Sequence, residues 1–179
     1  GVDLMRNAPV ESSEKVPFLL AGQRYSASLP WYRGPLGAPM QLESQALCDL
    51  VQRELLSRPF SLALDCHSGF GLQDRIWFPY ASSRAPMPHL AEIHSLVSLY
   101  SQTYPNHHYQ IEPQCLQYLT HGDLWDYLYQ QSLANGEQVF LPMTLEMGSW
   151  MWVKKNPRQL LSRLGFFNPM VPHRRQRVL

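Results

Sequence analysis

Two apolar segments of the chain each end in side chains that could carry out acid–base or metal chemistry. The first ends in Asp65 and His67, and the second, over 139–147, carries Glu146 near its end. Because side chains alternate along a strand, Asp65 and His67 point to the same face. Imidazole is a good zinc ligand, a carboxylate is a good general base, and open α/β sheets bind ligands at the carboxyl ends of their strands. The pattern therefore predicts a metal or acid–base site, although each side chain taken alone also suits a structural role.

Helices are expected to alternate with these strands and to hold them in place. The apolar spacing and the stop signals predict helices over 41–57, 87–104, 123–133 and 157–164, and residues 1–4 are expected to end a further strand. Alternation along the strand that ends at His67 turns Cys66 to the opposite face, where we expect it in the core. Helices that alternate with short apolar strands indicate an α/β protein.

Length and composition predict one folded domain over 1–179. The net charge of +1 gives no long-range attraction for nucleic acid, and no apolar stretch approaches the ~20 residues that a membrane span needs. Neither nucleic acid nor membrane is therefore expected as a partner. The 3 cysteines do not suggest a disulfide framework, which favours a reducing compartment, so we expect a cytoplasmic location.

Seven short motifs follow one another over nearly the whole chain. They are GVDLMRN (1–7), YRG (32–34), DCHS (65–68), FPY (78–80), YLTHG (118–122), LWDYLY (124–129) and TLEM (144–147). In this order they resemble the zinc metallocarboxypeptidases of the carboxypeptidase A type. The Asp-x-His-Ser-Gly form is closer to poorly characterised bacterial members and to the aspartoacylase-like deacylases. The resemblance implies a three-layer α/β fold, with helices on both faces of a mixed, mostly parallel sheet.

The resemblance also implies a zinc site and a role for three residues around it. His67 would be a zinc ligand, and Glu146 would act as general base on a zinc-activated water and then pass the proton to the leaving amine. Asp3 would hydrogen-bond a zinc-ligand histidine from behind and orient it.

Three further residues would bind the substrate according to the same resemblance. Arg6 would bind a substrate carboxylate through its planar guanidinium, and Tyr118 would close over the substrate on a flexible loop. Trp125 falls where the family sets its side-chain preference, so its indole is expected to narrow the pocket. Met5 stands where the family usually has asparagine, and a thioether cannot donate a hydrogen bond to a carboxylate.

The family carries two more zinc ligands, a His-x-x-Glu pair, upstream of its Gly-Val-Asp motif. We therefore expect the chain to be the C-terminal half of such a domain, lacking the N-terminal strands, with the other zinc ligands upstream of Gly1. A half-domain exposes a strand edge, so either the missing N-terminal half or a homodimer partner is expected there. The one His-x-x-Glu pair within the chain, His89 and Glu92, is interpreted as a surface pair.

These observations favour a zinc-dependent hydrolase that removes a C-terminal amino acid or cleaves a related amide of a peptide or acyl-amino acid. Two alternatives stay open. One is an N-acyl-amino-acid deacylase. The other is a truncated or degenerate module without catalytic activity, which binds an anionic ligand through Arg6.

Overall fold

The computed structural model describes residues 1–67, 73–136, 138–148 and 158 of the chain. The strands are β1 (Phe60–His67), β2 (Arg75–Phe78), β3 (Gln110–Pro113) and β4 (Val139–Glu146). The helices are α1 (Leu42–Glu54), α2 (Leu90–Thr103) and α3 (Leu124–Asn135), and 3-10 turns occupy Leu4–Arg6 and Gln114–Leu116. None of the helices in these described ranges has the length and apolar character needed to cross a membrane.

The four strands form one mixed sheet in the order β1-β4-β2-β3. Strand β1 pairs with β4 in parallel, β2 pairs with β3 in parallel, and β2 pairs with β4 antiparallel. On β4, Phe140 contacts Trp125 of α3, whereas its neighbour Leu141 borders a groove together with Leu96 and Leu99 of α2. Because neighbouring strand residues face opposite sides, α3 and α2 cover opposite faces of the sheet. The expected layered α/β fold with a mostly parallel sheet is confirmed.

The core lies between these layers and explains why the helices form where they do. Helix α3 buries 6 of its 12 residues, whereas α1 buries one stripe that includes Cys48 and Val51. Burial of such side chains is the main favourable term in folding. The fully buried cluster joins helices and sheet through Cys48, Val51, Ile93, Leu124, Leu128, Tyr129, Phe140 and Leu141.

Three of the four expected helices are confirmed, with ends that differ by a few residues, while the expected helix over 157–164 lies outside the described residues except for residue 158. The expected strand over 1–4 is wrong. Asp3 instead caps a 3-10 turn, accepting a hydrogen bond from the backbone N–H of Met5 at 3.1 Å. A local side-chain hydrogen bond of this kind competes with strand pairing. Strands β2 and β3 were not predicted, since four residues carry too short a pattern.

Gly122 joins the N-terminal turn to the segment that leads into α3. Its backbone has φ +71°, and its N–H donates to Val10 at 2.6 Å while its carbonyl accepts from Ala8 at 3.0 Å. An added Cβ would lie 2.0 Å from the carbonyl oxygen of Arg6. Only glycine allows both this conformation and this close approach. The contact fixes the backbone of Arg6 beside the loop that carries Tyr118.

We expect Gly122→Ala to lower the free energy of unfolding by about 3 kcal/mol or more, because the methyl group would meet backbone that cannot move aside. Gly37→Ala is the matched control, since Gly37 has φ +76° and nothing within 4 Å of an added Cβ. The control should cost only about 1 kcal/mol, the strain of the left-handed conformation itself. Urea unfolding measures both, and equal losses would contradict the importance of the close approach.

Candidate active site

His67 lies between two carboxylates at the carboxyl ends of β1 and β4. Its Nδ1 is 3.0 Å from Oε1 of Glu146, and its Nε2 is 2.9 Å from Oδ2 of Asp65. The parallel register places His67 directly beside Glu146, so the two side chains meet across the strand pair. Asp65 reaches the ring from two residues earlier on the same face of β1. The structure thus brings together the polar strand ends that the sequence singled out.

The two carboxylates stabilise the charged form of the ring. A neutral imidazole has one N–H donor, so two ionised carboxylates are both satisfied only by the imidazolium. The hydrogen bond to Asp65, followed by that to Glu146, raises the pKa of His67 to about 10, although burial acts in the opposite direction. The same hydrogen bond to His67 lowers the pKa of Asp65.

A small cavity of about 60 Å³ opens in front of this group. Its lining consists of Met5, Arg6, His67, Gln114, Tyr118, Asp123, Trp125, Thr144 and Glu146. The cavity therefore contains all the predicted site residues except Asp3, which contacts one of its walls through Arg6. A concave site with convergent polar groups is the usual form of a small-ligand site.

The guanidinium of Arg6 is held at the cavity wall by two contacts. Its Nε donates to the carbonyl of Leu20 at 3.1 Å, and Nη1 donates to Oδ2 of Asp3 at 3.0 Å. The Arg6 side chain is 14% exposed, so its charge is only partly screened by water. In this structure Asp3 supports Arg6, and its expected contact with a zinc-ligand histidine stays a prediction.

Tyr118 and Trp125 form the aromatic part of the cavity wall. The Tyr118 ring meets the edge of Trp77 with 5.9 Å between centroids, and burial raises the pKa of the Tyr118 phenol. The indole N–H of Trp125 donates to Oδ2 of Asp65 at 3.0 Å. Trp125 thus reaches the Asp65–His67 pair as well as the cavity, while its effect on substrate size stays a prediction.

Asp123 is a cavity residue that the sequence reasoning missed. It is the N-cap of α3 and accepts a hydrogen bond from the backbone N–H of Asp126 at 2.9 Å. Burial, together with the neighbouring charge of Asp126, raises the pKa of Asp123 to about 7. Its position after Gly122 marks it as a helix cap, which hides the fact that it also faces the cavity. Gln114 and Thr144 were missed too: nothing in the local sequence marks Gln114, and Thr144 was noted only as part of the TLEM motif.

Two predictions concern residues outside the cavity, namely Cys66 and the pair His89 and Glu92. Cys66 is exposed, so its predicted core position is wrong: no helix covers that end of β1 in the part of the chain that the structure describes. His89 and Glu92, interpreted from the sequence as a surface pair, are half-buried at the start of α2, and Nδ1 of His89 lies 2.9 Å from the hydroxyl of Tyr129.

The residues fit one side of the zinc site that the resemblance implies. His67 is the one histidine among the residues that line the cavity, and its Nδ1 is 3.0 Å from Oε1 of Glu146. Within ranges 1–67, 73–136 and 138–148, no group of three or more His, Cys, Asp or Glu side chains could hold a metal ion. Catalytic zinc sites use three protein ligands, so His67 would need further ligands from outside these ranges.

Comparison with known proteins supports the fold. No family model matches the chain, and no curated protein matches its sequence. The solved structure of thrombin activatable fibrinolysis inhibitor (TAFI) matches with a TM-score of 0.57 at 20% identity, over 94% of this chain. Bovine thrombin-activatable fibrinolysis inhibitor, solved in complex with tick carboxypeptidase inhibitor, matches with a TM-score of 0.56 at 19% identity, also over 94% of this chain.

These matches establish a carboxypeptidase-like α/β fold for the chain. The chain spans 36% of the first matched structure and 49% of the second, so it corresponds to less than half of each. At this level of identity the likeness extends to the fold alone, so any catalytic function depends on the residues of the cavity.

The raised pKa of Asp123 predicts that the stability of the folded chain depends on pH. Because its folded-state pKa is about 7 and an unfolded aspartate titrates near 4, the native state loses stability as the pH rises between these values. Asp123→Asn keeps the helix cap and removes the charge. We expect the variant to gain stability relative to the native chain, by about 1–3 kcal/mol, between pH 4 and pH 7.

Thermal unfolding across that pH range measures the effect. Asp49→Asn on α1 is the control, since Asp49 accepts its side-chain hydrogen bond at the protein surface. A stability difference between Asp123→Asn and the native chain that does not change with pH would contradict the assignment.

Proposed function

We propose that the chain carries the general base and one zinc ligand of a carboxypeptidase-like hydrolase. The observation that carries the proposal is the pairing of His67 and Glu146 at 3.0 Å in a cavity that also contains Arg6 and Tyr118. A metal ligand, a carboxylate base, a carboxylate-binding cation and a phenol are the groups that amide hydrolysis next to a free carboxylate requires.

Each group has a defined part in the proposed reaction. His67 would hold zinc through Nδ1 once that nitrogen has lost the proton that it shares with Glu146, and zinc, when bound, supplies a nucleophile by making water acidic near neutral pH. Glu146 accepts a proton from the attacking water and returns it to the nitrogen of the leaving amine. The contact of 3.0 Å between Oε1 of Glu146 and Nδ1 of His67 holds the Glu146 carboxylate beside the His67 ring.

The substrate is proposed to carry a carboxylate next to the cleaved amide. Arg6 lines the cavity with its Nη1 and Nε engaged by Asp3 and Leu20, and its Nη2 is proposed to bind a substrate carboxylate. Met5 adds no donor beside it. A single cation suits a C-terminal amino acid and an N-acyl amino acid equally, and both are therefore candidate substrates.

A non-catalytic function remains the second candidate because His67 is the one histidine among the residues that line the cavity. In that case Arg6 would bind an anionic ligand at the cavity without hydrolysis. Zinc uptake by the full-length protein separates the two functions: stoichiometric zinc supports the hydrolase, and its absence favours the binding module.

The hydrolase proposal predicts that Glu146→Gln and Glu146→Ala lower kcat by roughly 10²–10⁴ on peptides and N-acyl amino acids in the presence of zinc. Loss of the base removes proton transfer without removing Arg6, so KM should change little. Glu54→Gln, at an exposed carboxylate on α1, is the matched control and should leave kcat unchanged. Hydrolysis that survives both substitutions would exclude the proposed mechanism.

We further propose that other polypeptide covers β1, either an N-terminal half of the same protein or a second copy of the chain. Strand β1 lies at one end of the described sheet, and β4 is its only strand partner there. Its Phe60, Leu62 and Leu64 side chains are 57%, 40% and 49% exposed, an apolar row beside an open backbone edge. Such edges readily pair with another strand.

The edge proposal predicts that the 179-residue chain alone self-associates, and that Leu62→Lys weakens the association, because a charge on an edge strand opposes pairing. Leu36→Lys is the control, since Leu36 is exposed in a loop away from the sheet. Sedimentation velocity over a range of concentrations measures this. A chain that stays monomeric at all concentrations would contradict the proposal.

A further inference from the structure

Asp65 joins two elements that the sequence keeps far apart. Its Oδ2 accepts one hydrogen bond from Nε2 of His67 at 2.9 Å and a second from the indole N–H of Trp125 at 3.0 Å. His67 is on the same strand, whereas Trp125 lies in the first turn of α3. One carboxylate oxygen therefore fixes the ring of His67 to the helix on the other side of the cavity.

The chemistry of the two donors determines where the proton of the ring lies. An indole nitrogen can only donate, and an ionised carboxylate can only accept. Oδ2 of Asp65 is therefore an acceptor for both partners, and Nε2 of His67 must carry a hydrogen. The other ring nitrogen, Nδ1, then points to Glu146.

The surroundings make this arrangement specific. Trp125 is only 9% exposed, and its ring packs on Phe140 with 6.5 Å between centroids, so the indole N–H has a fixed direction. A histidine held by a lone surface carboxylate would be free to rotate with it. Here the indole holds the carboxylate, and the carboxylate holds the ring.

We propose that Asp65 is a positioning residue that keeps Nδ1 of His67 directed at Glu146, and that Trp125 fixes Asp65 in place. The use of Nδ1 for zinc rests on the function proposed above, but the orientation of the ring does not. Trp125 therefore has a second role besides lining the cavity, because it orients the His67 ring through Asp65.

The test is an NMR measurement on the 179-residue chain, with nitrogen-15 labelling of the histidine and tryptophan rings. In the native chain we expect a slowly exchanging Nε2–H signal from His67 and a hydrogen-bonded indole N–H signal from Trp125. Asp65→Ala should abolish the first signal and speed the exchange of the second by roughly tenfold, because both donors lose their acceptor.

Two further variants separate positioning from general damage to the fold. Asp65→Asn keeps a carbonyl oxygen at the same place and should restore both signals. Trp125→Phe keeps the aromatic packing but removes the N–H, and should speed exchange of the His67 Nε2–H several-fold. Asp49→Ala on the surface of α1 is the control and should change neither signal. A His67 Nε2–H signal that is unchanged in both Asp65→Ala and Trp125→Phe would overturn the proposal.

A zinc titration of the full-length protein distinguishes this proposal from the proposed function. Loss of a hydrogen-bond partner behind a histidine ligand typically weakens metal binding by roughly 10–100-fold, and we expect this for Asp65→Ala, with partial recovery in Asp65→Asn. If the native protein binds no zinc but the NMR signals respond as expected, the hydrolase proposal fails and the positioning role of Asp65 stands.

Discussion

The parallel pairing of β1 with β4 is the constraint on which the rest of the site depends. Their register sets His67 directly beside Glu146, and a shift by one residue would turn one of the two side chains to the opposite face of the sheet. The backbone ladder continues past both residues, since the N–H of Met147 donates to the carbonyl of His67 at 3.0 Å. The relative position of His67 and Glu146 is therefore set by the paired strand backbones and not by loops.

Around this pair, long-range contacts bring in groups from distant parts of the chain. Gly122 holds the N-terminal turn against the segment before α3, and this places Arg6 and Tyr118 on the same cavity. Trp125 reaches from α3 to Asp65 on β1. Each contact joins residues that are far apart in the sequence, so the cavity forms only when the sheet and the helices have packed.

The sequence predicts the layered fold and the polar strand ends because both depend on local patterns. Helical spacing marks α1 to α3, and the abrupt change from apolar to polar residues marks His67 and Glu146. The short strands β2 and β3 carry no such pattern. Cys66 was misplaced because alternation gives the face of a strand, but it does not reveal whether anything covers that face.

The cavity residues that sequence reasoning missed depend on tertiary structure. Asp123 looks like an ordinary helix cap, and only the packing of α3 shows that it is also buried at the cavity. The contact between Asp65 and Trp125 spans two elements and has no signature in either. Resemblance to a family supplied roles for single residues, whereas the structure supplies the hydrogen bonds through which they act on one another.

The proposed zinc centre has His67 and Glu146 on one side. Anomalous X-ray scattering at the zinc edge, from crystals of the protein grown with zinc, locates a bound metal ion. A single peak is expected about 2.1 Å from Nδ1 of His67, with Glu146 beside it and Nε2 still bonded to Asp65. A peak on Nε2, or no peak at this cavity, would rule out this zinc centre.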